Sequence, residues 1–161
     1  MSQKTDRAIT AGLLAGYGGK TKFASTQRGV FELKSSEFLE SGIEYIDQWL
    51  PKDAGGGQEL VRVDGEEFTR LYAGGLVKAE KLAELEISEK EVIGHLIKRI
   101  SALGVKTRLF NNCQPEIQGD WEYDYRLVES ENGVGVSIGK ETIKYKNNLV
   151  FVHYFLLCGV R

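Results

Sequence analysis

Apolar and polar residues change their spacing several times along this chain, and each change predicts an element. Between residues 5 and 17, Ala8, Ile9, Leu13 and Tyr17 recur near helical spacing, and the pair Gly18-Gly19 offers a stop. From 28 to 50 the pattern becomes alternation, with Phe31, Leu33, Ile43 and Tyr45 set among polar residues, which predicts strands. Gly55-Gly56-Gly57 reads as a loop or a bulge. Glu59 to Val63 and Phe68 to Val77 read as two strands around Asp64-Gly65, a dipeptide suited to the tight turns whose twist matches a hairpin. Lys78 to Ile87 is charged and punctuated by Leu, a short helix or an extended connector.

The clearest helix follows. Ser88 and Glu91 have the spacing of a capping box, in which each side chain satisfies a backbone N–H at the first turn. Val92, Ile93, Leu96, Ile97, Ile100 and Leu103 form one apolar stripe that ends at Gly104. Beyond Pro115, Trp121, Tyr123 and Tyr125 alternate with acidic residues, and Val134, Val136 and Ile138 alternate around Gly135. Thr142 to Tyr145 and Leu149 to Val160 read as a last hairpin around Lys146-Asn147-Asn148. The order is helix, strands, helix, strands, which predicts an α+β domain over residues 1–161.

The two halves also look alike. Glu44-Tyr45 matches Glu122-Tyr123, and Glu59 matches Glu141. From those glutamates each half runs through a strand, a polar turn (Asp64-Gly65 or Lys146-Asn147) and a second strand. A tyrosine, Tyr72 or Tyr154, follows each glutamate by 13 residues. The expectation is an internally duplicated α-β-β-β unit, at about 5–77 and 88–160, giving antiparallel sheet with two main helices and a groove between the halves.

Composition narrows the function without naming it. With 161 residues, 42% hydrophobic and 27% charged, the chain has enough apolar content for a core and is unlike a disordered segment. Nineteen glycines against two prolines suggest tight turns inside ordered structure. A formal charge of −2 with no basic run argues against autonomous nucleic-acid binding, which draws on clustered cations. Cys113 and Cys158 are too few and too far apart for a thiolate zinc site and read as reduced, partly buried thiols. The N-terminus lacks an apolar signal region, and Leu149 to Val160 is too short to span a bilayer, so the expected location is the cytoplasm, away from membranes.

No motif for chemistry is complete. Gly16-Tyr17-Gly18-Gly19-Lys20-Thr21 ends like a phosphate-binding loop, but the first glycine of that loop would fall at Leu14 and a helix, not a strand, precedes it. A glycine-rich helix stop is the simpler reading. Gly133-Val134-Gly135 starts like a dinucleotide fingerprint but lacks its third glycine and reads as a strand bulge. His95 sits at the edge of the helical stripe and His153 in a strand, neither with a local nucleophile or carboxylate partner. Asp47, Glu59, Asp124 and Glu141 are more informative, because they lie on strands beside Tyr45, Trp49, Tyr72, Tyr123 and Tyr125. A groove of tyrosines and carboxylates suits a cationic or sugar-like ligand, or acid–base chemistry at a raised carboxyl pKa. The plainer alternative is cross-strand aromatic packing with solvated acids.

With Glu44-Tyr45-Ile46-Asp47, Gly57-Gln58-Glu59 and Tyr72-Ala73-Gly74 in the first half, and Gly119-Asp120-Trp121-Glu122-Tyr123, Glu141-Thr142-Ile143-Lys144-Tyr145 and Gly159 in the second, the chain resembles an uncharacterised bacterial domain family found alone or behind Xre-type helix-turn-helix modules. Trp49 stands where that family shows Tyr, and Leu71 where it shows Asn. The resemblance implies an α+β fold and kinship with regulatory modules, and it implies no activity. The chain has no room for a helix-turn-helix of its own, so DNA binding does not carry over.

The leading expectation is a non-enzymatic binding or sensing domain for a small molecule or a protein, without cofactor or metal. Its candidate ligand-binding residues are Tyr45, Asp47, Trp49, Glu59, Tyr72, Tyr123, Tyr125, Glu141 and Tyr154. The alternatives are a small enzyme using strand carboxylates, and a phage- or plasmid-type accessory protein acting by protein–protein contact, as a homo-oligomer.

Overall fold

A computed structural model describes residues 3–17, 23–40, 42–103 and 113–160. The elements are α1 (Gln3–Tyr17), β1 (Ala24–Arg28), β2 (Phe31–Glu40), β3 (Ile43–Trp49), β4 (Ala54–Val63), β5 (Glu66–Leu76), α2 (Ala79–Glu84), α3 (Glu89–Leu103), β6 (Cys113–Gln118), β7 (Trp121–Glu131), β8 (Val136–Tyr145) and β9 (Asn148–Val160). The nine strands of the described residues join one antiparallel sheet in the order β1-β2-β3-β4-β5-β9-β8-β7-β6. Two meanders, one from each half of the chain, therefore meet at β5 and β9, where Tyr72 lies opposite Phe155.

The α+β class holds, with two long helices and a short third. The plan of one helix and three strands, twice over, does not: five strands follow α1 and four follow α3. The additional strands escaped the pattern for physical reasons. β1 (ASTQR) is exposed along its whole length, so no apolar alternation marks it.

Hairpin turns set the register. Asp64 and Gly65 both have positive φ, 50° and 84°, as do Lys146 and Asn147, 47° and 63°. Two consecutive left-handed residues give the turn whose twist suits an antiparallel pair. Gly55-Gly56-Gly57, expected as a loop or a bulge, instead lies within β4 and pairs with Gly74, Ala73 and Tyr72 of β5. Gly133-Val134-Gly135 is not a bulge but part of the turn between β7 and β8, closed by Val134 and Gly135 N–H groups on the Glu131 carbonyl.

One face of the sheet carries α1 and α3, each over its own core cluster. Ala8, Ile9 and Leu13 of α1 pack on Tyr45, Val61, Val63, Phe68 and Leu157. Val92, Leu96 and Ile100 of α3 pack on Tyr123, Tyr125, Ile143, Val150, Phe151 and Phe155. Each fully buried aliphatic side chain of this kind contributes about 1.5–3 kcal/mol. The capping box forms as the spacing predicts, with Ser88 N and Oγ donating to Glu91 Oε2 at 2.8 and 2.7 Å and Glu91 N donating back to Ser88 Oγ. The expected stop at Gly104, the phosphate-loop-like glycines 18 and 19, and the Cys113 side chain lie outside the described residues. Cys158 is a free, partly buried thiol. No helix among the described residues is long and apolar enough to cross a membrane.

Candidate functional site: a cavity between the helices and the sheet seam

The space between the two core clusters is not filled. A cavity of about 170 Å³ lies beneath α1 and α3 and above the middle of the sheet. Gly12, Leu13 and Gly16 of α1 and Ile93 and Leu96 of α3 form its roof. Its walls are Ser36 of β2, then Tyr45, Asp47 and Trp49 of β3, Tyr72 of β5, and Phe151 and His153 of β9, with Phe23 and the β3–β4 connection at one side.

Glycine makes the room. Gly55 and Gly56 of β4 and Gly74 and Gly75 of β5 lie side by side in the sheet, so no side chains rise from that patch. At Gly74 and Gly75 φ is 137° and 140°, and a Cβ there would strike the carbonyl oxygens of Val152 and Asp53. Only glycine satisfies both demands. In α1, a Cβ on Gly12 would clash with the Tyr45 ring, so this glycine lets the helix settle directly on that ring.

Polar groups converge on the cavity from strands far apart in sequence. The Tyr72 hydroxyl donates to Asp47 Oδ1 at 3.0 Å. His153 lies 5.5 Å from the Tyr72 ring and 4.5 Å from the Phe151 ring, and its Nδ1 is 3.8 Å from Glu141 Oε2. Trp49 meets Phe23 edge to face, with centroids 5.6 Å apart.

Behind the wall sits a buried ionic network. Glu59 and Arg70 are each 1% exposed and form a bidentate pair, since Arg70 Nε and Nη2 reach the two carboxylate oxygens. The Tyr45 hydroxyl donates to Glu59 Oε1 at 2.7 Å, and the Arg70 guanidinium lies 4.9 Å over the Phe155 ring. Burial, and then the negative charge of Glu59, push the Tyr45 phenol well above its ordinary range. The second half repeats the tyrosine–glutamate contact: Tyr123 donates to Glu141 Oε1 at 2.7 Å, and Glu141 is fully buried.

The expected site residues thus divide. Tyr45, Asp47, Trp49 and Tyr72 line the cavity. Glu59 stands behind it, held by Arg70 and Tyr45, and Glu141 reaches it through His153. Tyr123 and Tyr125 do not line it; they are buried in the cluster beneath α3. Tyr154 is a correction: it is 48% exposed on the opposite face of the sheet, where the Lys140 ammonium lies 5.3 Å from its ring. Strand parity explains this. A register shift between β8 and β9 at Ile143/Lys144 puts Phe155, not Tyr154, across from Gly139, just as Tyr72 stands across from Gly57. Asp124 faces away from Tyr123 and Tyr125 and pairs with Arg126 at 2.6 Å. The solvated-acid alternative does not describe Glu59 and Glu141, which are both buried.

His153 is the cavity-lining residue that the sequence reading undervalued. Its signal was parity, because Phe151, His153, Phe155 and Leu157 share the helix-facing side of β9. His95 does not line the cavity. It is buried against Trp121, stacked at 4.8 Å and 16°. Among the described residues no three His, Cys, Asp or Glu side chains converge as a metal site would require. No protein family, curated protein or solved structure matches this chain.

Proposed function

We propose that this protein is a small-molecule-binding or sensing domain whose ligand occupies the cavity between the two helices and the β5–β9 seam. The observation that carries the reading is the cavity itself, apolar in most of its lining and given a few convergent polar groups. That combination is the usual composition of a ligand site. A volume of about 170 Å³ is close to that of engineered cavities that take up a single aromatic ring.

We also read the sheet as an internal duplication, with the ligand site at its pseudo-twofold. Matching registers support this. Tyr45 lies opposite Val61 and Asp47 opposite Glu59, as Tyr123 lies opposite Ile143 and Tyr125 opposite Glu141. Under this correspondence Tyr72 answers to Phe155 and Arg70 to His153. Asp47 then stands where the second half has Tyr125, so this carboxylate comes from one half only.

A second reading, a small enzyme, draws on the His153–Glu141 contact beside the Tyr72–Asp47 pair. A histidine backed by a buried carboxylate suits general acid–base work. Glu59 is not available for it, because Arg70 and Tyr45 already engage both of its oxygens.

Thermal shift against a library of small molecules tests the leading reading, with Gly16→Leu as the control. Gly16 lines the cavity from α1, and a Cβ there is in ordinary contact at 3.4 Å from Ser36 Oγ. The variant should keep the fold and fill the space. Compounds that raise the melting temperature of the wild type should fail to raise that of the variant. A library whose effects are the same on both proteins rules out the cavity as the site. Recovery of the bound compound unchanged after long incubation distinguishes binding from turnover.

A further inference from the structure

We infer, on the reading that the cavity is the ligand site, that its occupant is an uncharged, planar aromatic compound of a single ring, lying against the glycine patch of β4 and β5.

The floor of the cavity favours a planar ligand. Gly55 pairs with Gly74, and Gly56 and Gly75 follow them on the same two strands, so the floor there is bare backbone. Neighbouring strands lie about 4.8 Å apart and each residue advances about 3.4 Å, which makes the patch about 5 by 7 Å. A single aromatic ring covers an area of that size, whereas a puckered saturated ring touches it at fewer points. Tyr45, Trp49, Tyr72 and Phe151 line the same space. Aromatic rings pack best offset or edge to face, and several rings around one flat floor offer such contacts.

The polar groups of the lining favour a ligand without charge. Asp47 accepts the Tyr72 hydroxyl, and both residues have further interactions within the protein. His153 lies among the rings of Tyr72, Phe151 and Phe155 and beside Glu141. The Tyr45 hydroxyl, Glu59 and Arg70 are bonded to one another behind the wall. An ion entering here sheds its hydration and meets groups that already serve each other, which is costly for either sign of charge. Lys52 and Asp53, at the cavity's side, are exposed and adjacent, one of each charge, so they single out neither a cation nor an anion. A neutral ring, in contrast, gains by leaving water for an apolar lining.

Four compounds of nearly one size separate charge from shape at neutral pH: benzyl alcohol, cyclohexylmethanol, benzoate and benzylammonium. Binding is followed calorimetrically and by amide shifts of Gly74 and Gly75 in the wild type, Gly55→Ala and Gly16→Leu, with melting temperatures to check each fold. Gly55→Ala adds one methyl group to the floor, where its Cβ comes no closer than 3.4 Å to Leu50. The wild type should bind benzyl alcohol about tenfold or more tightly than either ion, because burying an unpaired charge is the larger cost. It should also prefer benzyl alcohol to cyclohexylmethanol by about threefold or more. In Gly55→Ala the preference for the planar ring should disappear, since one methylene in an apolar pocket changes binding by about tenfold or more. An ion that binds the wild type as tightly as benzyl alcohol, and is lost in Gly16→Leu, overturns the uncharged class and leaves the cavity as the ligand site. Cyclohexylmethanol binding as tightly as benzyl alcohol overturns the planar class, a result read from the wild type alone. A planar preference that survives in folded Gly55→Ala overturns the role of the glycine floor. No binding of any of the four overturns the aromatic class, and the library screen against Gly16→Leu then decides the cavity by itself. Binding that Gly16→Leu leaves unchanged overturns the cavity as the site and the ligand class with it.

Discussion

The Tyr72 hydroxyl donates a hydrogen bond to Asp47 Oδ1 at 3.0 Å, across 25 residues of chain and from a strand that is not a neighbour of Asp47's own. β4 lies between them, and at the crossing point it presents Gly57, where any Cβ would collide with the tyrosine ring. A missing side chain therefore allows the contact. Tyr72→Phe should lower stability by about 1.5 kcal/mol, the usual size for a hydrogen bond to a charged acceptor, measured by urea denaturation. No change would mean that water replaces the hydroxyl without loss.

Glu59 and Arg70 are buried together, so removing one leaves the other's charge in the core. Glu59→Ala should destabilise by about 3–5 kcal/mol. The double variant Glu59→Leu/Arg70→Met should recover much of that loss, because an apolar pair of similar volume leaves no buried charge. Denaturant titration of the single and double variants measures the recovery. A double variant as unstable as the single one would show that the ion pair is needed for packing itself.

Tyr45 gives an alkaline signature. Its phenol is pushed well above the ordinary value of 10.0, first by burial and then by the Glu59 carboxylate. Above pH 10 the unfolded chain releases a proton that the folded protein retains. Stability is therefore full below about pH 10 and is lost as pH rises beyond it. Absorbance titration near 295 nm should show one tyrosine ionising only with unfolding, and Tyr45→Phe should remove that step.

His95 acts on the acid side. Burial, then the charges of Arg99 and Lys98, hold its imidazole below the ordinary 6.5, with Glu116 opposing them. Between the two pKa values the unfolded chain binds a proton that the folded protein refuses. Stability is therefore present above about pH 6.5 and declines as pH falls through the folded value. Replacing the ring with one that does not titrate, His95→Phe, should flatten the stability profile between pH 7 and 5. An acid limb as steep as the wild type's would assign it to other groups.

Gly12 is expected to tolerate no side chain. Gly12→Val would drive a branched side chain into the Tyr45 ring and lift α1 from the sheet. Overpacking of this kind costs about 1–3 kcal/mol, and the same shift opens the cavity roof. A lower denaturation midpoint together with weaker ligand binding would show both effects. A variant as stable as the wild type would mean that α1 rests on the sheet less closely than Gly12 and Tyr45 require.

Local chemistry determined much about this protein in advance. The Ser88/Glu91 cap, the apolar stripes of α1 and α3, and the two hairpins at Asp64-Gly65 and Lys146-Asn147 depend on neighbours within a few residues. Such interactions are legible from spacing. So was the Tyr–Glu likeness between the halves, because Tyr45–Glu59 and Tyr123–Glu141 repeat one geometry.

What the tertiary structure alone decided depends on which strands become neighbours and how close they come. The glycine run 55–57 read as a loop or a bulge, because an isolated strand of glycine is entropically poor. Pairing with β5 on one side and, at Gly57, with β3 on the other holds it in the sheet and turns its lack of side chains into a ligand-sized space. One register shift in the β8–β9 hairpin exchanged Tyr154 for Phe155 on the inner face. The meeting of β5 with β9 set His153 beside Tyr72 and within reach of Asp47's cavity. Sequence determined the helices and most of the strands, since those follow from local periodicity. The cavity arose only in the folded sheet, since its walls come from segments more than a hundred residues apart.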